Sequence, residues 1–230
     1  MELDHAIAQI AIWALPVIFA ITLHEAAHGY AAKHFGDMTA YQAGRISLNP
    51  LRHIDPVGTI LVPLVIYTLS VMSGGPGFLF GWAKPVPVNF GQLRNPKKDM
   101  FWVAAAGPMA NLTMAIGWII LIKLALVMPD NYFAIPMIEM GKAGIIINVV
   151  LMVLNLLPLP PLDGGRIAVS LLPSRFAYRF ARIEPYGMMI LILLFITHIL
   201  DYILVPLVLL VIGFLSLISG MKLLPLFIGS

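Results

Sequence analysis

The 230-residue sequence has no cysteine, which excludes a disulfide scaffold, a thiolate metal site and a thiol nucleophile. Charge is almost as scarce. Asp, Glu, Lys and Arg together make up 11% of the chain against 60% hydrophobic residues, whereas a soluble domain carries about a quarter charged residues. An ordinary water-soluble domain is therefore excluded too. No repeat and no low-complexity tract is visible. The start of the chain, with Glu2 and Asp4, lacks the basic residues of a cleavable leader, so the first apolar run is expected to be retained. A net charge of +3 in such a chain is a matter of membrane topology, not of affinity for nucleic acid.

What is abundant is uncharged apolar sequence. Windows free of Asp, Glu, Lys and Arg run over residues 6–23, 57–83, 100–122, 143–162, 185–200 and 202–221, each near the roughly 20 residues that cross a bilayer. The pattern predicts an all-α integral membrane protein with five or six membrane segments, forming a single domain over residues 1–230. The connecting stretches are too short for a separate soluble domain, so any chemistry belongs inside or at the face of the lipid bilayer. Whether 202–221 is a full span is left open by Asp201 and Pro206.

Orientation follows from the loops. Lys33, Arg45 and Arg52 follow the first span while only acidic side chains precede it, which places the N-terminus outside and Lys33 in the cytoplasm. The stretches holding Lys84, Arg94, Lys97 and Lys98, and Arg166, Arg175, Arg179 and Arg182, are equally basic and should also be cytoplasmic. Asp130 and Glu139 fall in a loop of mixed sign. A single crossing at 57–83 would break this arrangement, so a re-entrant excursion is expected there, reversing at Ser73-Gly74-Gly75-Pro76-Gly77.

Within the first span lies His24-Glu25-Ala26-Ala27-His28. Spacing of four puts both imidazoles on one helix face a turn apart, where they can share one metal ion, with zinc the natural occupant. Glu25 is offset by about 100° from His24, which suits a carboxylate that activates water beside the ion instead of ligating it. Ionisable groups at the end of a charge-free run are costly in hydrocarbon, which weighs against two merely satisfied helix-end histidines. A catalytic zinc takes three protein ligands and leaves the fourth position open. Asp163 is the candidate third ligand, in Asn155-Leu156-Leu157-Pro158-Leu159-Pro160-Pro161-Leu162-Asp163-Gly164-Gly165, where prolines end the preceding helix and two glycines let the backbone approach closely. At 1.5 Å per residue His24 lies roughly 27 Å along its helix, near the cytoplasmic boundary of a core about 30 Å thick. Asp163 reaches the same depth only if residues 57–83 return to the side from which they entered.

These landmarks resemble the site-2 protease family of zinc-dependent intramembrane metalloproteases, in a minimal form without room for a PDZ or CBS module. The matching residues are the His-Glu-x-x-His at 24–28, Gly107 with Asn111, and the run from Asn155 to Gly164, in the family's order over a three-helix catalytic core. The stretch Gly44-Arg45-Ile46-Ser47-Leu48-Asn49-Pro50, followed by His53, Asp55 and Pro56, is similar to bacterial and archaeal members. The resemblance implies one zinc (Zn2+) per chain held by His24, His28 and Asp163, with Glu25 as general base and Asn111 and Asn155 near the site. It further implies a multi-pass protein of a prokaryotic cytoplasmic membrane that cleaves single-span membrane proteins or signal-peptide remnants. Two rivals remain open: a metal or proton transporter, since a proline-broken helix with ionisable groups is also a transport signature, and a zinc-containing pseudoprotease acting as an assembly factor.

Residues 78–90 read as extended chain, because residues before proline avoid the helical region. They are either an edge that holds substrate or a packed connector. Asn111 is either amide glue between helices or a group near the metal. His53 is either a group that binds substrate or steers a proton or, as expected, a solvated loop residue; His5, His34 and His198 are expected to be non-ligands, and Arg175, Arg179 and Arg182 to anchor anionic headgroups.

Overall fold

A computed structural model describes residues 2–72 and 81–228. Among them the secondary structure is entirely helical. Helix α1 (Glu2–His34) is followed by the single turn α2 (Thr39–Gln42), a 3-10 turn at Pro50–His53, a π turn at Pro56–Leu61 and α3 (Val62–Met72). After the 3-10 turn Phe90–Gln92 come α4 (Pro96–Val127), α5 (Ala134–Leu156), α6 (Asp163–Leu171), α7 (Ser174–Ala181), α8 (Glu184–Ile196), α9 (Ile199–Ser219) and α10 (Pro225–Ile228).

Four described helices are long and apolar enough to cross a membrane: α1 from Ala8 onward, α4, α5 and α9. Residues 202–219 thus fall in a helix of spanning length. The windows 57–83 and 185–200 hold shorter helices, α3 with 11 residues and α8 with 13, the latter about 20 Å long at 1.5 Å per residue. Glu139 is not in a loop. It lies inside α5 and pairs with Lys142 at 2.8 Å, so two charges expected outside the helix are absorbed into its first turns. Such a pair at i, i+3 is compatible with continuing the helix.

The bundle is built on α1, α4 and α5, each packed on the other two. Contacts between α1 and α4 pair His24 with Asn111 and His28 with Val103, so these two helices run antiparallel. Asn111 on α4 meets Asn148 on α5, and Gly141 and Gly144 of α5 face Ile122 and Trp118 of α4, so these also run antiparallel. Away from that polar crossing, Ile119 and Ile122 of α4, Ile145 and Val149 of α5, and Ile212 and Leu215 of α9 form an apolar core.

Three stretches of basic sequence are joined by hydrogen bonds. Arg45 donates to the Lys84 carbonyl at 3.1 Å, the Arg94 amide donates to Phe35 at 3.0 Å, and Lys97 Nζ donates to Leu172 at 2.6 Å. Residues 57–83 begin and end at one place: the Trp82 amide donates to the Gly58 carbonyl at 3.0 Å, and Thr59 Oγ1 donates to the Trp82 carbonyl at 2.9 Å. The expected reversal at Ser73 to Gly77 lies outside the described residues.

Candidate metal centre

α1 carries His24 and His28 into the interior, 7% and 9% exposed, against α4. Asp163 arrives from the other side. Pro158, Pro160 and Pro161 cannot continue α5, which ends at Leu156, and the chain bends sharply to start α6 at Asp163. The bend is tight because Gly164 and Gly165 lie against the backbone at Leu156, Leu159 and Pro160, where any Cβ would overlap it. As a result Asp163 Oδ2 stands 3.3 Å from His24 Nε2 and 3.2 Å from His28 Nε2, and the two Nε2 atoms are 3.0 Å apart.

The chemistry of these three atoms decides what fits among them. His28 Nδ1 faces the Val103 carbonyl at 2.7 Å, which only accepts, so the proton sits on Nδ1 and Nε2 presents a lone pair. His24 Nδ1 faces Asn111 Oδ1 at 2.6 Å, with the same consequence. Asp163 Oδ2 is buried and has no hydrogen-bond donor. Three acceptors so close repel one another unless a cation lies between them. Tetrahedral zinc with bonds of about 2.05 Å separates its ligand atoms by about 3.3 Å. The site therefore fits a zinc ion held by two imidazoles and one carboxylate. Gly107 lines the same space: a Cβ there would overlap both imidazoles, so α4 approaches the pair only because it has no side chain at that point.

Glu25 stands beside this cluster and outside it. Its Oε2 accepts the Val86 amide at 2.7 Å, which leaves Oε1 uncommitted by that bond. A cavity of about 150 Å³ is lined by His24, Glu25, His28, Asn155, Asp163 and Arg166 among others. A larger hollow of about 380 Å³ lies elsewhere, between Lys97, Lys98, Phe101, Trp102, Ser170 and Leu171, and contains none of these ligand candidates. Asn111 is fully buried and touches His24 directly, whereas Asn155 lines the cavity but gives its amide to its own helix at Leu151, at 2.9 Å.

Residues 81–89 form neither helix nor strand. Their amides at Trp82, Lys84, Val86 and Asn89 are spent on Gly58, His53, Glu25 and Asp37, and Pro85 and Pro87 have none to offer. These bonds tie the segment to α1 and to the loops that follow it at four points. His53 departs from expectation. It is 3% exposed, its Nε2 faces the Ser47 carbonyl at 2.8 Å, and its own carbonyl accepts from Lys84. The loop after α2 folds back to grip the connector, which takes the imidazole out of solvent. His34 meets the Phe35 ring edge to face, and His198 pairs with Asp201 at 2.8 Å on the surface, so neither joins the cluster. The side chain of His5 lies outside the description.

Sequence reading did not single out the Val103 carbonyl, the Val86 amide or Asn148. The first two are backbone groups without a residue signature. Asn148 was detectable: it is seven residues before Asn155, two turns along the same face of an otherwise apolar helix.

The profile of Peptidase family M50 matches residues 131–197. The chain is 37% identical over 201 residues to "Putative zinc metalloprotease YwhC" of Bacillus subtilis (strain 168), covering 84% of this chain and 83% of that protein. It is 31% identical over 185 residues to "Putative zinc metalloprotease Rip2" of Mycolicibacterium smegmatis, covering 80% of this chain and 66% of that protein, and 28% identical over 185 residues to the protein of that name in Mycobacterium tuberculosis (strain H37Rv). No solved structure matches the chain. With the relatives named as putative zinc metalloproteases and two buried histidines meeting an aspartate in a cluster of the right chemistry for that ion, this chain belongs to peptidase family M50, the site-2 protease family, and is a multi-pass membrane protein.

Proposed function

We propose that this chain is a zinc endopeptidase of the cell membrane that hydrolyses peptide bonds in single-span proteins or retained signal peptides, near the cytoplasmic side of the bilayer. The observation that carries the reading is the convergence of His24, His28 and Asp163, with the Glu25 carboxylate alongside. His24, His28 and Asp163 would hold the ion. When bound, zinc supplies Lewis acidity that polarises the scissile carbonyl and acidifies water. Glu25, oriented by the Val86 amide, takes the proton of the attacking water on Oε1 and returns it to the leaving amine. The two Nδ1 bonds keep the imidazoles fixed and their Nε2 lone pairs turned inward.

Placement in the membrane follows the same reading. The linked basic stretches mark the cytoplasmic end of the bundle, and the site lies at the end of α1 nearest them. α1, α4, α5 and α9 span the bilayer, α3 belongs to an excursion that leaves and returns near Gly58 and Trp82, and α8 is the remaining segment, which gives five or six in all. The 150 Å³ cavity admits water but no helix, so a substrate segment must enter unwound.

The test is cleavage of a single-span substrate in detergent micelles by wild type and Glu25→Gln. Loss of a general base lowers the rate by about 10²–10⁴, so product should appear with wild type and fall by that factor with the variant while zinc content is unchanged. A transporter would give no Glu25-dependent product, and a pseudoprotease would bind substrate without cutting it.

A further inference from the structure

The polar chain behind His24 does not end at Asn111. Asn148 on α5 is fully buried, and among the described hydrogen bonds it makes two: Nδ2 donates to the Gly144 carbonyl at 2.8 Å, and Oδ1 accepts from Asn111 Nδ2 at 2.9 Å. Asn111 Nδ2 also reaches the Ala20 carbonyl at 3.3 Å, and its Oδ1 faces His24 Nδ1 at 2.6 Å. We infer that Asn148 is a positioning residue that sets the tautomer of His24, and thereby the strength with which the site holds its ion.

The direction of this relay is forced from its far end. The Gly144 carbonyl can only accept, so Asn148 must turn its amide nitrogen toward it and its oxygen toward Asn111. Asn111 must then present its nitrogen to Asn148 and to Ala20, which leaves only its oxygen for His24. An oxygen at that point requires a proton on Nδ1, and a neutral imidazole protonated on Nδ1 has its lone pair on Nε2, the atom aimed at Asp163. Without Asn148 only the long 3.3 Å bond to Ala20 holds this orientation, and the Asn111 amide turns over more readily to donate to Nδ1. The His24 proton then moves to Nε2, into the position the metal needs. Two backbone carbonyls, one on α5 and one on α1, therefore determine which nitrogen of His24 is free. A buried amide inside a helical membrane bundle serves elsewhere as glue between helices; in this protein it also completes a set of donors and acceptors that ends at His24.

This inference rests on the metal-site reading, so the experiment reads the two separately. Zinc affinity is measured by chelator competition in detergent for wild type, Asn148→Leu, Asn148→Ser and Asn148→Asp, with Thr113→Val as control, since the Thr113 hydroxyl bonds back to Met109 on the exposed side of α4. Nitrogen NMR of histidine-labelled, zinc-free protein reports the His24 tautomer. Leucine removes both bonds. Serine is long enough to bond back to Gly144 but too short for Asn111, so it satisfies the helix while breaking the relay, and serves if leucine disturbs folding. A neutral aspartic acid offers the same donor and acceptor as the amide and should rescue.

The expected result is an affinity loss of about 10–100-fold for leucine and serine, the range for partners that orient metal ligands. Aspartate and the Thr113 control should stay near wild type, and the zinc-free tautomer of His24 should shift from Nδ1–H only in the two weakened variants. Unchanged affinity and tautomer in Asn148→Ser, in a protein whose wild type binds zinc, would overturn the inference alone. Absence of zinc binding in wild type would overturn the metal reading, and the tautomer measurement would still decide whether the relay operates.

Discussion

Helix α4 has two halves of opposite character. From Gly107 to Asn111 it faces α1 and buries two imidazoles, two amides and a glycine. From Ala115 to Ala125 it faces α5 and α9 with Trp118, Ile119, Ile122 and two alanines. Lipid tails are as apolar as isoleucine, so the second half gains from close packing rather than from leaving water. The first half contains groups that packing alone would never select. Within one helix, therefore, apolar side chains pack the bundle together, and the polar ones gather at the proposed metal site. The two kinds of residue should respond to substitution in separable ways.

The largest separation should come from Gly107→Ala. A methyl group there overlaps both imidazoles, so zinc measured by elemental analysis should fall from about one per chain to near zero, while thermal unfolding of the zinc-free protein changes little. If Gly107→Ala binds zinc normally, the close approach of α4 to the site has no role in shaping it. Next in size is Ile212→Ala in the apolar half. Ile212 is 1% exposed between α4, α5 and α9, and emptying such a position costs about 2–5 kcal/mol. Unfolding should shift accordingly with zinc affinity unaltered; a matching loss of affinity would show the halves to be one cooperative unit. The smallest effect is expected for Val86→Pro, which removes the amide that orients Glu25 and leaves the metal ligands untouched. Turnover should drop about tenfold, the equivalent of roughly one hydrogen bond, with no change in zinc content or unfolding temperature.

Much of the membrane character and the family was legible in the sequence, because scarcity of charge and the spacing of His24 and His28 are both local signals. The ends of the helices were less so. α4 starts at Pro96, includes Lys97 and Lys98, and runs past Lys123, whose ammonium reaches the Ser219 carbonyl at the end of α9 at 2.6 Å. Long side chains of this kind let charged residues sit at helix ends that a charge-free window leaves out. The burial of His53 was hidden for a different reason. It depends on a connector thirty residues later folding back over its loop, and no local pattern encodes that contact. The partners of the site were the hardest to read, since the groups that fix His28 and Glu25 are the Val103 carbonyl and the Val86 amide, which every residue carries.

X-ray absorption at the zinc edge, on purified protein with its metal counted, tests the central claim most directly. One zinc per chain with two imidazole nitrogens and a carboxylate oxygen is the predicted result, abolished in Asp163→Ala and retained in His53→Ala. Full zinc occupancy in Asp163→Ala with an unchanged spectrum would contradict the account, because the ion would then lie somewhere other than between α1 and the start of α6.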